Sequence, residues 1–369
     1  MRLNILVVVD PGFLTRIGVH YGLFLNTVMN QGTPEQVSYW VSRGAVSLNG
    51  VIGCFGMTEL GHGSNVAGVE TLAEYDHSTD EFIINTPTLT ATKWWIGGAA
   101  ESATHCVVFA RMIVGGKDYG PQPFVCPLRD YEDYSTLPGI TIGDCGAKMG
   151  RNGIDNGWIQ FTHFRIPRSY LLMRYTKVLS DGKVIQSPMA QLSFGALVYA
   201  RTMMIKENGD FAKKALVIAL RYACVRRQFG AKEGDVEEVR LIDYKTHQNR
   251  LLPRLAVCYA MHFTAKKAFE MYEQLMEILN AAKPGDEKMK QALESLKECH
   301  GTFAGLKAHT GYSCVCVLFT DLIKIHSVVG RRLTLLTSAD RLVVDTDIRH
   351  MPGFRACIRI SSYKTLGRY

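Results

Sequence analysis

The chain has 369 residues, of which 47% are hydrophobic and 10% aromatic, enough to bury a substantial core in two or three domains. Its formal net charge is +8, and from Ser313 onward nine basic residues face four acidic ones, so five of the eight net charges lie there. Because this basic segment is not interleaved with aromatic residues, the composition does not predict a nucleic-acid partner.

The cysteines predict neither a disulfide framework nor a metal site. All ten are scattered singly, apart from Cys314 and Cys316, and no CxxC pair or Cys/His ligand spacing occurs. We therefore expect a reduced, intracellular protein without a bound metal. The longest apolar run near the start, residues 5–9, is too short for a signal sequence or a membrane span.

Residues 10–48 are predicted to be helical. Asp10-Pro11 marks a helix start, with the proline in the first turn. A second helix is predicted to begin after Thr33, which can cap it because Gln36 stands three residues further on.

The stretch 53–65 is rich in glycine and in short polar side chains. Gly61 and Gly63 stand among Thr58, Ser64 and Asn65. Such a segment can bring backbone N–H groups and hydroxyls close to a polar ligand, since glycine has no Cβ. The stretch fits neither GxGxxG nor GxxxxGK[ST], and a plain surface loop is the alternative interpretation.

From about residue 49 to residue 170 the pattern changes to short strands. Four apolar segments are separated by Gly, Pro, Asp and Asn, at residues 82–84, 106–109, 124–125 and 158–161. Their irregular spacing, without helices between them, predicts a small antiparallel barrel or sandwich and not a Rossmann sheet. Three histidines of this region are interpreted as turn or packing residues and not as metal ligands: His62, His105 and His163.

Residues 93–98 place two tryptophans directly before two glycines. Large flat rings beside open backbone suit a planar aromatic ligand, which stacks on the rings and needs close N–H donors at its polar edge. Two core tryptophans at the end of a strand are the alternative.

From about residue 190 the apolar period becomes helical and predicts a helix bundle. One stripe follows Asn208-Gly209-Asp210 and consists of Phe211, Ala215, Ile218, Ala219 and Tyr222. A second stripe consists of Leu251, Leu252, Leu255, Tyr259 and Phe263. Residues 287–308 form a third, after a break at residues 281–286. Residues 226–230, Arg-Arg-Gln-Phe-Gly, suit a basic helix end with Gly230 as its C-cap.

Residues 57–65 together with residues 93–98 resemble the flavin-binding middle domain of the peroxisomal acyl-CoA oxidases, relatives of the acyl-CoA dehydrogenases. Similarity to the oxidases extends over most of the chain, from about Asp10 to Ala308, through residues 20–24, 32–36, 137–143 and 155–158. Residues 226–230 match the superfamily element Arg-x-x-Phe-Gly, which reaches across a dimer interface to the FAD of the neighbouring subunit.

The resemblance implies an α+β fold of the acyl-CoA dehydrogenase/oxidase type, with a central antiparallel β-barrel domain flanked by α-helical domains. Four divisions are expected. They are a remnant of the N-terminal helical domain at 1–48, a β-barrel flavin and acyl-CoA binding domain at 49–170, a C-terminal α-helical bundle at 186–312, and a divergent basic tail at 313–369.

The activity implied by the resemblance is oxidation of a fatty acyl-CoA to a trans-2-enoyl-CoA in fatty acid β-oxidation. FAD is the cofactor, and O2 accepts the electrons and becomes hydrogen peroxide. A peroxisomal location and a homodimer follow from the family. The last residues, Leu366-Gly367-Arg368-Tyr369, are not an SKL-type signal.

By the same resemblance, the expected FAD-binding residues are Thr58, Gly63, Ser64, Trp95, Gly97, Arg226, Gln228 and Phe229. Thr58 is expected to hydrogen-bond the flavin ring, Trp95 to pack on it, and Gly97 to lie by N5. Dehydrogenases tend to have a threonine where Gly97 stands, so the missing side chain is expected to leave room for oxygen. Arg226 suits a pyrophosphate because its planar fork can make two charge-assisted hydrogen bonds.

No catalytic base is assigned. The family element Glu-Gly-(Asp/Glu)-Asn, which carries the catalytic glutamate, does not occur, and Glu298 is the last glutamate. Glu59 and Glu101, in the flavin loops, are interpreted as surface or capping carboxylates. We therefore expect a chain that is truncated at its N-terminus, divergent at its C-terminus and has little or no oxidase activity, even if it binds FAD. Two alternatives are a catalytically inactive FAD-binding fragment or assembly partner of an oxidase, and an acyl-CoA dehydrogenase.

Overall fold

The computed structural model of the chain describes residues 9–186, 195–230, 234, 236–281 and 287–317. These residues belong to two compact units, Asp10–Ala196 and the residues from Leu197 onward. Most of the predicted basic tail, from residue 318, lies outside the described residues.

The first unit begins with short helices, as predicted. They are α1 (Pro11–Gly18), a π-helical segment (Val19–Leu25), α2 (Asn26–Gln31) and α3 (Pro34–Ser42). Asp10 caps α1, since its Oδ1 accepts a hydrogen bond of 2.9 Å from the N–H of Phe13. Thr33 and Gln36 form a complete capping box at the start of α3.

Two sheets follow in the same unit. Their strands are β1 (Gly53–Gly56), β2 (Leu72–Asp76), β3 (Glu81–Asn85), β4 (Lys93–Gly97), β5 (His105–Val114), β6 (Lys117–Pro127), β7 (Ile140–Asp144), β8 (Asn156–Phe161) and β9 (Phe164–Pro167). Six strands form one sheet in the order β1-β5-β2-β3-β9, with β6 also paired to β5, and β4-β8-β7 form the other. A separate hairpin joins β10 (Thr176–Val178) and β11 (Val184–Gln186).

The prediction of an antiparallel barrel needs one correction. β1 and β2 both pair with β5 in parallel, while the other pairs of these two sheets are antiparallel. Parallel neighbours need a connection that crosses over, and β1 reaches its position beside β5 through the long segment that contains β2, β3 and β4. Apolar alternation reveals strands but not their partners, so this pairing was not predictable from the pattern.

The short helices are fixed to β1 through His20. Its Nε2 lies 2.7 Å from the carbonyl oxygen of Ala45, and its Nδ1 accepts a hydrogen bond of 2.8 Å from the N–H of Gly53. Both contacts are satisfied only by a neutral imidazole with its proton on Nε2. Burial lowers the pKa of His20, although the Ala45 carbonyl partly offsets this effect.

Acidification should therefore weaken the first unit. The contribution of neutral His20 to the free energy of unfolding is fully present above its ordinary pKa of 6.5. It is lost as pH falls through the lowered pKa of His20 in the folded state. Protonation turns Nδ1 into a donor facing the Gly53 donor, at a cost of about 1–3 kcal/mol. Between about pH 7.5 and about pH 5, the free energy of unfolding measured in urea should fall less in His20→Gln than in the parent protein. The exposed His163→Gln is the control, and equal acid losses in all three proteins would contradict the assignment.

The second unit is built on three long helices, α4 (Gly195–Val225), α5 (Lys245–Ala281) and α6 (Glu287–Cys316), with a hairpin of β12 (Arg227–Gly230) and β13 (Glu238–Arg240) between α4 and α5. The predicted helices are confirmed. However, α4 continues through Asn208-Gly209-Asp210, and a Cβ at Gly209 would lie 3.6 Å from Met261 Cβ on α5. That distance is an ordinary van der Waals contact, so Gly209 is a regular position of α4 and not a break. None of the described helices is long and apolar enough to cross a membrane.

The second predicted stripe lies partly on the wrong face of α5. Leu252, Tyr259 and Phe263 are 52%, 62% and 63% exposed. The buried side chains of this helix are Leu251, Cys258, Met261, Ala265, Ala268 and Leu275. Three of these six residues are small, namely Cys258, Ala265 and Ala268. Leu251, Cys258 and Met261 share a core cluster with the alanines of α4, at Ala212, Ala215, Ala219 and Ala223. The large apolar residues of the predicted stripe therefore indicated a face of α5 that is partly exposed. Ile218 of the first stripe is also exposed, at 38%.

Candidate functional site

The loop at residues 57–68 and the strand β4 lie side by side, so the structure brings together the two motifs of the first unit. Thr58 Oγ1 donates a hydrogen bond of 2.8 Å to the carbonyl oxygen of Trp94, whose N–H donates one of 3.1 Å to the Thr58 carbonyl. Further along, the N–H groups of Leu60 and Gly61 donate to the carbonyls of Thr92 and Thr90, both at 2.9 Å. The position of Thr58 is therefore set by the backbone of the tryptophan strand.

Trp95 is held in a strained and exposed conformation. Its φ is +65°, a value rare for an aromatic residue, and the pairing of β4 with β8 is irregular between Lys93 and Ile96. Half of the Trp95 surface is exposed, and Trp94 is 36% exposed, so the alternative of two core tryptophans is wrong. Such a conformation costs about 1–3 kcal/mol and is found preferentially at binding and catalytic sites.

Gly97 and Gly98 end this strand, but the space beside Gly97 is not empty. A Cβ there would lie 2.8 Å from Ile154 Cδ1, and 3.2 Å from both Asn156 Oδ1 and Val19 Cγ2. The direction of the missing side chain is therefore towards packed residues. A threonine at position 97 would displace Ile154, so this exchange would change packing as well as any access of oxygen.

Gly63 and Ser64 lie on the open side of the loop. Both residues are exposed, and a Cβ at Gly63 would meet nothing within 4 Å. Gly61, in contrast, is close to the segment that contains Thr90, since a Cβ at Gly61 would lie 3.0 Å from Thr90 Cβ. The loop thus presents Gly63 and Ser64 to solvent while its base is packed.

A buried ion pair of Glu59 and Lys93 supports the base of the loop. The interpretation of Glu59 as a surface or capping carboxylate is therefore wrong. Glu59 Oε1 lies 3.0 Å from Lys93 Nζ, and both side chains are fully buried. Glu59 also accepts hydrogen bonds from the N–H of Glu70, at 2.7 Å, and from the N–H and hydroxyl of Thr71, at 3.0 and 2.6 Å. Lys93 Nζ donates in addition to the carbonyls of Met57 and Phe109.

The electrostatics of this pair follow from its contacts. Burial raises the pKa of Glu59, but the Lys93 ammonium and the hydrogen bonds from Thr71 and Glu70 outweigh it, and the pKa is lowered overall. Burial lowers the pKa of Lys93, and the Glu59 carboxylate opposes this effect. The ionised pair is the arrangement that satisfies the three donors of the ammonium and the carboxylate oxygens.

A second buried group supports the turn after Gly98. Asp155 accepts hydrogen bonds from the N–H groups of Glu101 and Ser102, at 2.8 and 2.9 Å, and pairs with Arg16 at 2.8 Å. Arg129 donates to the carbonyls of the same turn, at Ala99, Ala100 and Ala103. Neither group was predicted, since no local pattern connects Asp155 or Arg129 with residues so far away in the sequence.

The remaining predicted residues lie in the second unit. Helix α4 ends at Val225, and Arg227–Gly230 forms β12, so the interpretation as a helix end capped by Gly230 is wrong. Arg226 Nη2 donates to Gln228 Oε1 at 3.1 Å, while its Nε is buried and has no hydrogen-bond partner. Phe229 is 70% exposed with φ +58°. Its neighbour Gln228 is fixed by the Tyr244 hydroxyl, which donates to the Gln228 carbonyl at 2.6 Å.

The two units hold different features that suit a ligand. In the first unit, Trp95 is an exposed aromatic residue with a left-handed backbone, and an exposed aromatic face is a surface on which a planar ligand can stack. In the second unit, Phe229 has the same two properties. The partnerless Nε of Arg226 is a buried donor of a guanidinium group, which is costly unless a ligand supplies an acceptor.

Three family models match the chain in succession. They are the acyl-coenzyme A oxidase N-terminal model over residues 2–45, the acyl-CoA dehydrogenase middle domain over 54–164, and the acyl-CoA oxidase C-alpha1 domain over 194–318. Together they cover most of the sequence.

Individual relatives agree with the family models. Acyl-coenzyme A oxidase 3 of Yarrowia lipolytica is 53% identical over 312 residues, which cover 84% of this chain and 44% of the relative. The crystal structure of acyl-CoA oxidase 1 from the same yeast matches with a TM-score of 0.82 and 49% identity, covering 86% of this chain and 46% of that one. Acyl-CoA oxidase-2 of Caenorhabditis elegans, in a structure bound with FAD, ascaroside-CoA and ATP, has a TM-score of 0.74 and 34% identity, covering 88% and 49%.

This chain therefore spans less than half the length of the relatives it matches. The matches confirm the α+β class and the acyl-CoA dehydrogenase-like fold, with a curled sheet and helical parts. On sequence and on fold alike, the chain belongs to the acyl-CoA oxidase family.

Proposed function

We propose that this chain is the FAD-binding part of an acyl-CoA oxidase, an oxidoreductase that converts a fatty acyl-CoA into a trans-2-enoyl-CoA in fatty acid β-oxidation and passes the electrons to O2, giving H2O2. The observation that carries the proposal is Trp95, a half-exposed indole held at a left-handed φ beside Gly97 and hydrogen-bonded through its neighbour to Thr58. The FAD named in the C. elegans relative supports the choice of cofactor.

The residues that would hold FAD fall into two groups. In the first unit, Thr58, Gly63, Ser64, Trp95 and Gly97 would contact the flavin and the adjoining phosphates. In the second, Arg226, Gln228 and Phe229 would contact the FAD of a partner subunit. When bound, FAD supplies the redox chemistry of the reaction, as the acceptor of two electrons. The protein residues bind it, orient it and limit the access of water.

Several further properties belong to this proposal. The partners are a fatty acyl-CoA and O2, the assembly is a homodimer, and the location is the peroxisome. The proposed divisions remain 1–48, 49–170, 186–312 and 313–369. The three ranges matched by family models support the first three of these, while residues 10–42 share one compact unit with the strands.

The absorbance of the purified chain tests the proposal. We expect a yellow protein with a flavin spectrum. Because no residue is assigned as the base, we expect little anaerobic bleaching when a long-chain acyl-CoA is added. Rapid bleaching that reverses in air would show that the chain supplies a base of its own. Bleaching that persists in air would favour a dehydrogenase, and a colourless protein that takes up no FAD would overturn the proposal.

A change at Arg226 tests the assignment of this residue. Arg226→Gln should weaken FAD binding about 10- to 100-fold, since a hydrogen bond to a charged group is worth about 1.5–3 kcal/mol. Quenching of flavin fluorescence during titration measures the affinity. The matched control is Arg227→Gln, at the adjacent position. Arg227 pairs with Glu237 at 2.8 Å on the surface, so this change should have little effect on the affinity for FAD. Equal effects of the two changes would contradict the role of Arg226.

A further inference from the structure

The side chain of Arg111 joins strand β5 to the end of the loop at residues 57–68. Its Nη2 donates a hydrogen bond of 2.6 Å to the carbonyl of Ala67, and its Nε donates one of 3.2 Å to the carbonyl of Val69. Its Nη1 pairs with Asp118 Oδ2 at 2.7 Å. All three guanidinium nitrogens are thus engaged, two of them with the backbone at the end of the loop. The rigid fork of donors in an arginine suits such an arrangement.

The carbonyls that Arg111 binds lie at the end of a short helical turn. Residues Val66–Gly68 form one turn of 3₁₀ helix, and Val69 follows it directly. The last carbonyls of a helical turn have no donors within the turn, and basic side chains can supply them. Arg111 therefore acts as the cap of this turn, although it comes from a distant strand.

The turn in its place fixes the residues before it. The N–H of Val66 donates to the carbonyl of Ser64, and the N–H of Gly68 donates to the carbonyl of Asn65, both at 3.1 Å. Ser64 and Asn65 are both exposed. A continuous series of hydrogen bonds therefore leads from Arg111 through the turn to the part of the loop that faces solvent.

The segment beyond the turn is held by other groups. The Glu59 carboxylate accepts hydrogen bonds from the N–H groups of Glu70 and Thr71, at 2.7 and 3.0 Å. The backbone N–H of Arg111 donates to the Thr71 carbonyl at 2.8 Å. These contacts do not need the guanidinium group, so they would survive its loss. The turn itself, in contrast, depends on the side chain of Arg111.

We propose that Arg111 is a positioning residue of the cofactor site: its guanidinium fork holds the turn Val66–Gly68, and through it the loop tip at residues 63–65, in the shape that binds FAD. Gly63 and Ser64 are proposed contacts of the cofactor. If the tip were loose, FAD would have to order it on binding, and the affinity would fall by that cost. The FAD part of this inference rests on the proposed function.

Hydrogen exchange of the full chain without FAD is the first test. Arg111→Lys keeps the charge but offers a single nitrogen, so amides in residues 64–68 should exchange about 10-fold faster than in the parent protein. The control is Arg165→Lys, since Arg165 binds Asp76 and Glu81 in the same unit and should leave this exchange unchanged. Equal exchange of the loop in both variants would overturn the proposal. Faster exchange throughout the unit, without an excess in the loop, would overturn it as well.

FAD titration of the same proteins is the second test. Arg111→Lys should bind FAD about 10-fold more weakly than the parent protein, and Arg165→Lys should bind it equally well. In Arg111→Ala, millimolar methylguanidinium should restore part of the affinity, while methylammonium should not, because only the former supplies the fork of donors. A general loss of stability would not be reversed so selectively, and failure of both additives would overturn the role of the fork.

The two tests together separate this inference from the proposed function. A loop loosened by Arg111→Lys in a chain that binds no FAD would support the cap of the turn and overturn the proposed function. A loosened loop with unchanged FAD affinity would overturn the link between Arg111 and the cofactor.

Discussion

Glu59→Gln should lower the free energy of unfolding of the first unit by about 3–5 kcal/mol, the typical cost of removing one partner of a buried ion pair. The amide leaves the ammonium of Lys93 fully buried without a negative charge beside it. Its oxygen can replace only one of the two carboxylate oxygens, so its NH2 group faces either the Glu70 N–H or the donors of Thr71 and Lys93. Urea unfolding followed by tryptophan fluorescence measures the loss, because Trp94 and Trp95 adjoin the pair.

Two controls separate burial from charge. Glu81→Gln removes a carboxylate that pairs with Arg165 at 3.0 Å on the surface, and it should cost less than about 1 kcal/mol. Adding Lys93→Met to Glu59→Gln removes the isolated ammonium and should recover part of the loss. A Glu59→Gln protein as stable as Glu81→Gln would mean that Lys93 is neutral in the folded state.

Local signals in the sequence predicted local structure well. Asp10 and Thr33 cap helices where the pattern placed them, because a cap depends on residues three positions apart. The strands and the long helices likewise follow from apolar period. The exposed side of α5 was not predictable, since the choice of face depends on what α4 presents, and small residues such as Cys258 and Ala265 carry little weight in a hydrophobic pattern.

In the candidate site, too, contacts between distant segments of the chain were not predictable from the sequence. The sequence identified Thr58, Trp95 and Arg226 through resemblance, and the structure gives each a physical context that the pattern could not. Trp95 lies where the register of β4 with β8 shifts between Lys93 and Ile96, and Arg226 Nε is buried without a partner. Glu59 and Lys93 were both inside recognised motifs, yet their pairing joins two segments of the chain that only the fold brings together.

Gly53→Ala should be as damaging as the loss of Glu59, with a cost of about 3 kcal/mol or more. A Cβ at Gly53 would lie 2.0 Å from Phe24 Cγ, well inside van der Waals contact, and Phe24 is fully buried. The ring cannot move outwards without opening the contact between the π-helical segment and β1. The N–H of Gly53 also donates to His20, so displacement of the strand would break that hydrogen bond as well.

Gly63→Ala is the matched control, since a Cβ there would meet nothing within 4 Å and its stability should stay within about 0.5 kcal/mol of the parent. Phe24→Leu in the Gly53→Ala background should restore part of the lost stability by making room for the new methyl group. If Gly53→Ala unfolded at the same urea concentration as Gly63→Ala, the close contact with Phe24 would be disproved. Because β1 ends at Gly56 and leads directly into Thr58, the strained variant should also bind FAD more weakly than its stability alone explains. Phe24→Leu should then recover affinity and stability in parallel, because both losses have the same steric cause.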